Sequence, residues 1–275
     1  MAEALGASHA HVRRLRRLGR HRGDRREQGA CVLEGPDLIS AARESGHGLE
    51  MLFVASGRRE SFVALIDDVI LSGVPVVEVD PAVLARVAPA VTPQPIVAIA
   101  SWPLVALDAV ALRGLVVVAH DLRDPGNAGT IIRSADAAGA TGVVFSGDSV
   151  DPTNPKVLRA SAGSIFHIPV AVASWADTLA RARREGARTW ATVVHGATEL
   201  RDVSFAGTTV VVIGNESAGL DDATVASCDG TLRIAMAGTA ESLNAGVAAS
   251  LIAFAAQWWR DDHGDPVSGR SLTGL

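Results

Sequence analysis

Residues 115–146 read LVVVAHDLRDPGNAGTIIRSADAAGATGVVFS, and the reading of this stretch decides the fold. It opens on an unbroken apolar run from Leu115 to Ala119 and passes through a turn rich in Gly and Pro. A helical pattern follows over Thr130 to Ala138, and Gly142 to Ser146 is apolar again. Runs of β-branched residues without polar alternation mark strands covered on both faces, as in parallel sheets. Val210-Val211-Val212-Ile213 repeats the signature. Thr189 to Val194, Thr208 to Ile213 and Thr231 to Ile234 read as further strands, with helices over Trp175 to Glu185 and Leu243 to Trp258. Residues 115–262 are therefore expected to form an α/β domain on an open parallel sheet, with ligands bound beyond the carboxyl ends of the strands.

Working outward, residues 31–101 alternate on a smaller scale. Pro36 to Ala42, Ser61 to Leu71 and Pro81 to Val87 read as helices; Leu49 to Ala55, Val74 to Val79 and Ile96 to Ala100 read as strands. This predicts a second, smaller α/β domain. The periodicity weakens over residues 102–114, taken as a linker, and residues 263–275 are taken as a tail. Residues 1–30 form a basic segment, because Arg13 to Arg26 holds eight arginines and one acid, Asp24.

Composition narrows the class. With 275 residues, 48% of them apolar and 20% charged, the chain can bury two cores and is not of the disordered type. Cys31 and Cys228 are far apart and show neither metal-ligand nor disulfide spacing, which suits a reducing cytoplasm. No apolar core follows the N-terminal arginines, so no secretion signal is read. The longest apolar stretch, Ala245 to Ala256, falls short of the roughly 20 residues that span a bilayer. Net charge is −5, which disfavours nucleic acid as a sum. The local cluster, with Arg13, Arg14, Arg16 and Arg17 at its head, is nonetheless suited to phosphates. The same pattern also describes a solvated helix or a frayed tail.

Three loops follow the strands. Asp121 to Thr130 leads into the helix that carries Arg133; it lacks G-x-G-x-x-G and Walker A, although Asp148 falls where a dinucleotide fold places its ribose-binding acid. Ile213 to Leu220 sets Asn215 and Glu216 between glycines, a pattern shared by sites and ordinary turns. Ile234 to Asn244 precedes the last helix, where Ser242 or Asn244 is also a plausible cap. Taken one by one, each loop leaves both readings open, and a nicotinamide or flavin enzyme stays as an alternative.

Together and in order, DPGNAGTIIRSADAAGATGVVF, VVVIGNESAGL and LRIAMAGTAESLNAGVAASLIAFA resemble the three signature motifs of the SpoU (TrmH-type) RNA ribose 2′-O-methyltransferases of the SPOUT superfamily. DPTNPKVLRASAGS, from Asp151 to Ser164, is similar to the family's connecting segment. The Glu34-Gly35 entry to the first domain resembles the ribosomal-protein-L30e-like RNA-binding domain of rRNA members such as the thiostrepton- and nosiheptide-resistance enzymes. The resemblance implies a deep trefoil knot, a homodimer through the C-terminal domain, S-adenosylmethionine as methyl donor, no metal, and structured RNA, 23S rRNA in first place, as substrate in the cytoplasm. A tRNA enzyme or a non-catalytic RNA-binding protein of the same fold are the alternatives.

Carried over residue by residue, the resemblance assigns chemistry to Asn127, Arg133, Glu216, Ser242 and Asn244. It assigns cofactor contact to Val194, Ile213, Gly214, Asn215, Ile234, Met236 and Leu243, and RNA or partner contact to Arg159. Ala235 stands where the family usually has proline, and Ala245-Gly246 where it usually has Val-Ser. A guanidinium keeps its proton in proteins, so Arg133 is expected to clamp a phosphate and steady the developing alkoxide rather than act as base. Asn127, Ser242 and Asn244 would orient the hydroxyl, with Glu216 holding that network.

Overall fold

The computed structural model describes residues 4–88, 92–195 and 198–264. The chain divides into two compact units, one of residues 1–104 with 151–167, the other of residues 105–150 with 168–275.

The first unit begins with α1 (Ala10–Arg20) and α2 (Arg22–Gln28), followed by β1 (Ala30–Glu34), α3 (Pro36–Glu44), β2 (Leu49–Ala55), α4 (Val63–Leu71), β3 (Val76–Val79), α5 (Pro81–Val87) and β4 (Ile96–Ser101). Its sheet runs β1-β4-β2-β3. β4 is antiparallel to both β1 and β2, while β2 and β3 are parallel. The basic segment is no loose appendage. Val12, Leu15 and Leu18 recur at helical spacing and are fully buried in one cluster with Val32, Phe53 and Ile99. Burial of such side chains contributes roughly 1.5–3 kcal/mol apiece, which fixes α1 by its apolar stripe and leaves the arginines on its outer side. Arg25 of α2 is buried at 2% exposure. It bonds Asp151 at 2.5 Å, Thr153 at 3.2 Å and the Leu18 carbonyl at 2.9 Å, so a buried charge is met on every side.

The second unit opens with β5 (Leu115–His120), α6 (Pro125–Ala137) and β6 (Gly142–Ser146). The chain then contributes α7 (Pro155–Ala160) to the first unit and returns through β7 (Val170–Val172), α8 (Trp175–Arg184), β8 (Arg188–Thr192), β9 (Thr198–Glu199), β10 (Thr209–Ile213), α9 (Asp222–Ser227), β11 (Gly230–Arg233) and α10 (Ala245–His263). The seven strands lie in the order β7-β6-β5-β10-β8-β11-β9, and every recorded pairing is parallel. The parallel sheet expected from the valine runs is therefore present: Val116, Val118, Val210 and Val212 are fully buried in its core. From β5 the order grows outward through β6 and β7 on one side, and on the other lie β10, β8 and β11. The sheet thus reverses between β5 and β10, the place where open α/β sheets bind ligands.

Several boundaries differ from the sequence reading. α6 starts at Pro125 rather than Thr130, because Asp124 caps it by accepting the Asn127 N–H at 2.8 Å and Pro125 occupies the first helical position. α10 runs to His263, past Trp258, and ends on Gly264 in a left-handed conformation. The linker region is partly packed, with Val110 fully buried. The tail expected over 263–275 lies outside the described residues from 265 onward.

Candidate active site

The loops after β5 and β10 are joined by two side chains of the second loop. Glu216 accepts the backbone N–H groups of Arg123 at 3.1 Å and Asp124 at 2.9 Å, and the Asn127 side-chain amide at 3.1 Å. Asn215 donates its side-chain N–H to the Asp121 carbonyl at 2.8 Å, while its Oδ1 accepts the N–H groups of Ser217 and Ala218. Backbone bonds between Asn215 and Gly219 close the turn. The turn depends on Gly214: a Cβ there would lie 2.5 Å from the Gly219 backbone. Burial of the Glu216 carboxylate pushes its pKa up, but bonds from Asp124, Arg123 and Asn127 outweigh this and hold it below its ordinary value. Glu216 is therefore an anion at the N-terminus of α6, where exposed N–H groups favour one.

The third loop reaches the same place. A cleft of about 370 Å³ is lined by Val194, Ile213, Gly214, Asn215, Ile234, Met236 and Leu243, together with Glu216, Glu241 and Ser242. The size falls in the range of small-molecule sites. All seven residues assigned to the cofactor from sequence thus share one cavity, although the Asn215 side chain is spent on the first loop. Leu232, Ile252 and Glu241 also line it and were not singled out beforehand. Leu232 and Ile252 looked like ordinary core, and nothing in the spacing separates Glu241 from a surface acid.

Asn127 is buried behind Glu216, outside the cleft lining. Asn244 caps α10 through its Oδ1, which accepts the Val247 N–H at 3.2 Å, so its amide N–H groups alone are free of that duty. Ser242 is exposed on the rim. Arg133 is exposed on α6 and, among the described residues, has no recorded ion pair or side-chain hydrogen bond. The Gly246 part of the Ala245-Gly246 departure has a packing reason: a Cβ there would sit 3.1 Å from Thr130 on α6. Close helix contact is reinforced by a bond of 2.6 Å between Ser134 and Ser250.

The basic residues divide. Arg13 donates to the Ser8 carbonyl, Arg14 pairs with Glu50 at 2.6 Å and Gln28 at 2.8 Å, and Arg17 pairs with Asp24. Arg159 meets the buried Glu34 at 3.3 Å. Arg16, Arg22 and Arg26 are exposed and have no recorded side-chain partner among the described residues.

The arrangement is a cleft beyond the carboxyl ends of β8, β10 and β11 of a parallel sheet, lined by apolar side chains and by Glu216 and Glu241. Residues 114–254 match the model of the SpoU rRNA Methylase family, and residues 9–98 match an MRM3-like substrate binding domain. The chain is 33% identical over 251 residues to an uncharacterized tRNA/rRNA methyltransferase of Synechocystis, covering 90% of this chain and 91% of that protein. It is 40% identical over 160 residues to the 23S rRNA (uridine(2479)-2′-O)-methyltransferase of Streptomyces viridochromogenes, covering 54% of this chain and 52% of that enzyme. Among solved structures, an rRNA methyltransferase from Sinorhizobium meliloti superposes with a TM-score of 0.82 at 29% identity, over 93% of this chain and 97% of that one. AviRb from S. viridochromogenes, in complex with AdoMet, superposes with a TM-score of 0.81 at 32% identity, over 92% and 100%. The chain belongs to the SpoU rRNA methylase family, and its second unit is a SPOUT-type methyltransferase fold.

Proposed function

We propose that this protein transfers a methyl group from S-adenosylmethionine to the 2′-hydroxyl of a ribose in structured RNA, with 23S rRNA as substrate, in the cytoplasm. The single observation that carries the reading is that the second and third motif loops line one cleft, while Glu216 of that lining holds the first motif loop against the second. The donor fits the residues present. Ile213, Leu232, Ile234 and Leu243 offer an apolar wall for a purine, the loop backbones offer polar groups, and Glu216 and Glu241 suit a cationic ligand. When bound, the donor supplies an electrophilic sulfonium methyl group.

The chain's own work is alignment and charge, and alignment alone can contribute several kcal/mol. Glu216 fixes the Asn127 amide and the start of α6, so the first and second loops cannot drift apart. The free amide of Asn244 and the hydroxyl of Ser242 orient the ribose hydroxyl. Arg133 binds the adjoining phosphate bidentately and steadies negative charge growing on the ribose oxygen. Arg16, Arg22 and Arg26, with Arg13, Arg14, Arg17 and Arg159 once their internal partners yield, grip RNA backbone.

The active form is a homodimer. On α10, Val247, Leu251 and Trp258 are 46%, 40% and 59% exposed. With the half-buried Phe254 they fall at i, i+4, i+7 and i+11, a single apolar stripe. A second copy of this chain is the occupant we assign to it, and Arg133, absent from its own cleft lining, would then serve the partner's cleft. Sedimentation should give a dimer, and Leu251→Arg a monomer without transferase activity; a monomeric, active wild type would refute this assembly. The function is tested by methyl transfer from labelled donor to 23S rRNA: a 2′-O-methylated ribose is expected, and no incorporation would reject it.

A further inference from the structure

The rim of loops at the carboxyl ends of β5, β6, β10 and β11 is acidic: Asp121, Asp124, Asp148, Glu216, Asp221 and Glu241 all belong to it. An RNA strand brings phosphates to this rim and is repelled unless cations meet them. Between residues 121 and 148 there are two, Arg133 and Arg123. The backbone N–H of Arg123 is fixed by Glu216 at 3.1 Å, which sets it beside the Asn127–Glu216 pair. Its guanidinium is largely exposed, and its recorded partner is Asp148 at 3.4 Å, itself 84% exposed. That separation exceeds the 2.7–2.9 Å of a good charge-assisted bond, and an exposed pair of this kind is weakly held.

We infer that Arg123 is a second phosphate-gripping residue of the RNA site, parked on Asp148 until a phosphate oxygen near the target ribose replaces that carboxylate. Arg123 positions substrate and takes no part in the chemical step. The inference rests on the methyl-transfer reading, but its test does not require turnover.

Equilibrium binding of in vitro-transcribed 23S rRNA is measured over a range of salt concentrations for wild type, Arg123→Gln, Arg123→Lys and Asp148→Asn, with S-adenosylmethionine affinity as the check on folding. Loss of one phosphate contact should weaken RNA binding about tenfold and flatten the dependence of log K on log salt by about one unit or slightly less. Lysine should restore the slope. Asp148→Asn should tighten RNA binding, since it removes the competitor. Donor affinity should be unchanged in all three. An unaltered slope in Arg123→Gln, or weaker binding in Asp148→Asn, would overturn the inference. Wild type that binds rRNA with the expected variant pattern yet transfers no methyl group would uphold Arg123 and count against the reaction alone.

Discussion

The Glu216 carboxylate accepts the Asn127 side-chain amide at 3.1 Å, and the same oxygen takes the Asp124 N–H at 2.9 Å. This pair joins residues 89 positions apart in sequence. It makes Glu216 a fastener between loops rather than a proton carrier, since a carboxylate surrounded by N–H donors is a poor base.

Glu216→Gln keeps the shape but turns an N–H₂ group toward donors. Each donor left unsatisfied costs about 1–3 kcal/mol where it is buried. Donor affinity and transfer rate are expected to fall together, each by at least roughly tenfold, measured by calorimetry and single-turnover assay. A variant that loses rate but binds the donor normally would instead place Glu216 in the chemical step.

The pH dependence follows from the lowered pKa of Glu216, set against burial by the bonds from Asp124, Arg123 and Asn127. A carboxyl depressed in the folded state contributes stability that is complete above its unfolded value, near 4.3. The contribution is lost as pH falls through the folded value. Donor affinity should therefore not vary through Glu216 between about pH 5 and 8 and should weaken only below about pH 4.3. A loss attributable to Glu216 around pH 6, absent in Glu216→Gln, would contradict the network.

Among the described residues Arg133 has no recorded partner to lose, so its replacement should be silent in stability. Arg133→Lys keeps charge but not the planar fork, and methyl transfer is expected to drop by about tenfold or more while donor affinity stays within roughly twofold. Equal losses in the two measurements would argue against a phosphate clamp.

Arg25 is the reverse case. Its partner Asp151 is buried too, and deleting one half of a buried ion pair strands the other. Arg25→Ala should destabilise the protein by about 3–5 kcal/mol, seen in chemical denaturation. An unchanged midpoint would show that the pair is dispensable.

Much of this was legible in the sequence. The valine runs at 116–118 and 210–213 identified a parallel sheet because burial on both faces leaves no polar alternation, and the glycines of the three loops marked the strand ends. The apolar stripe of α1 was obscured by arginines that dominate any charge reading, although Val12, Leu15 and Leu18 carry a clear helical period. The attachment of residues 151–167 to the first unit was also hidden, since local pattern records neither the Arg25–Asp151 bond nor the Arg159–Glu34 bond. Asn215 illustrates a further limit: its place in the cleft followed from the motif, but whether backbone or side chain does the work depended on the partner, Asp121, that only folding supplies. Arg123 passed unnoticed for the same reason, because its neighbours in space come from two other loops.

The most direct measurement is transfer of labelled methyl from S-adenosylmethionine to 23S rRNA by the purified protein, with the modified position mapped by resistance of the 2′-O-methylated linkage to alkaline cleavage. One protected ribose, formed more slowly by about tenfold or more in Arg133→Lys and in Glu216→Gln, is the expected result. Label on a base, or none on RNA from a protein that binds the donor, would contradict the account.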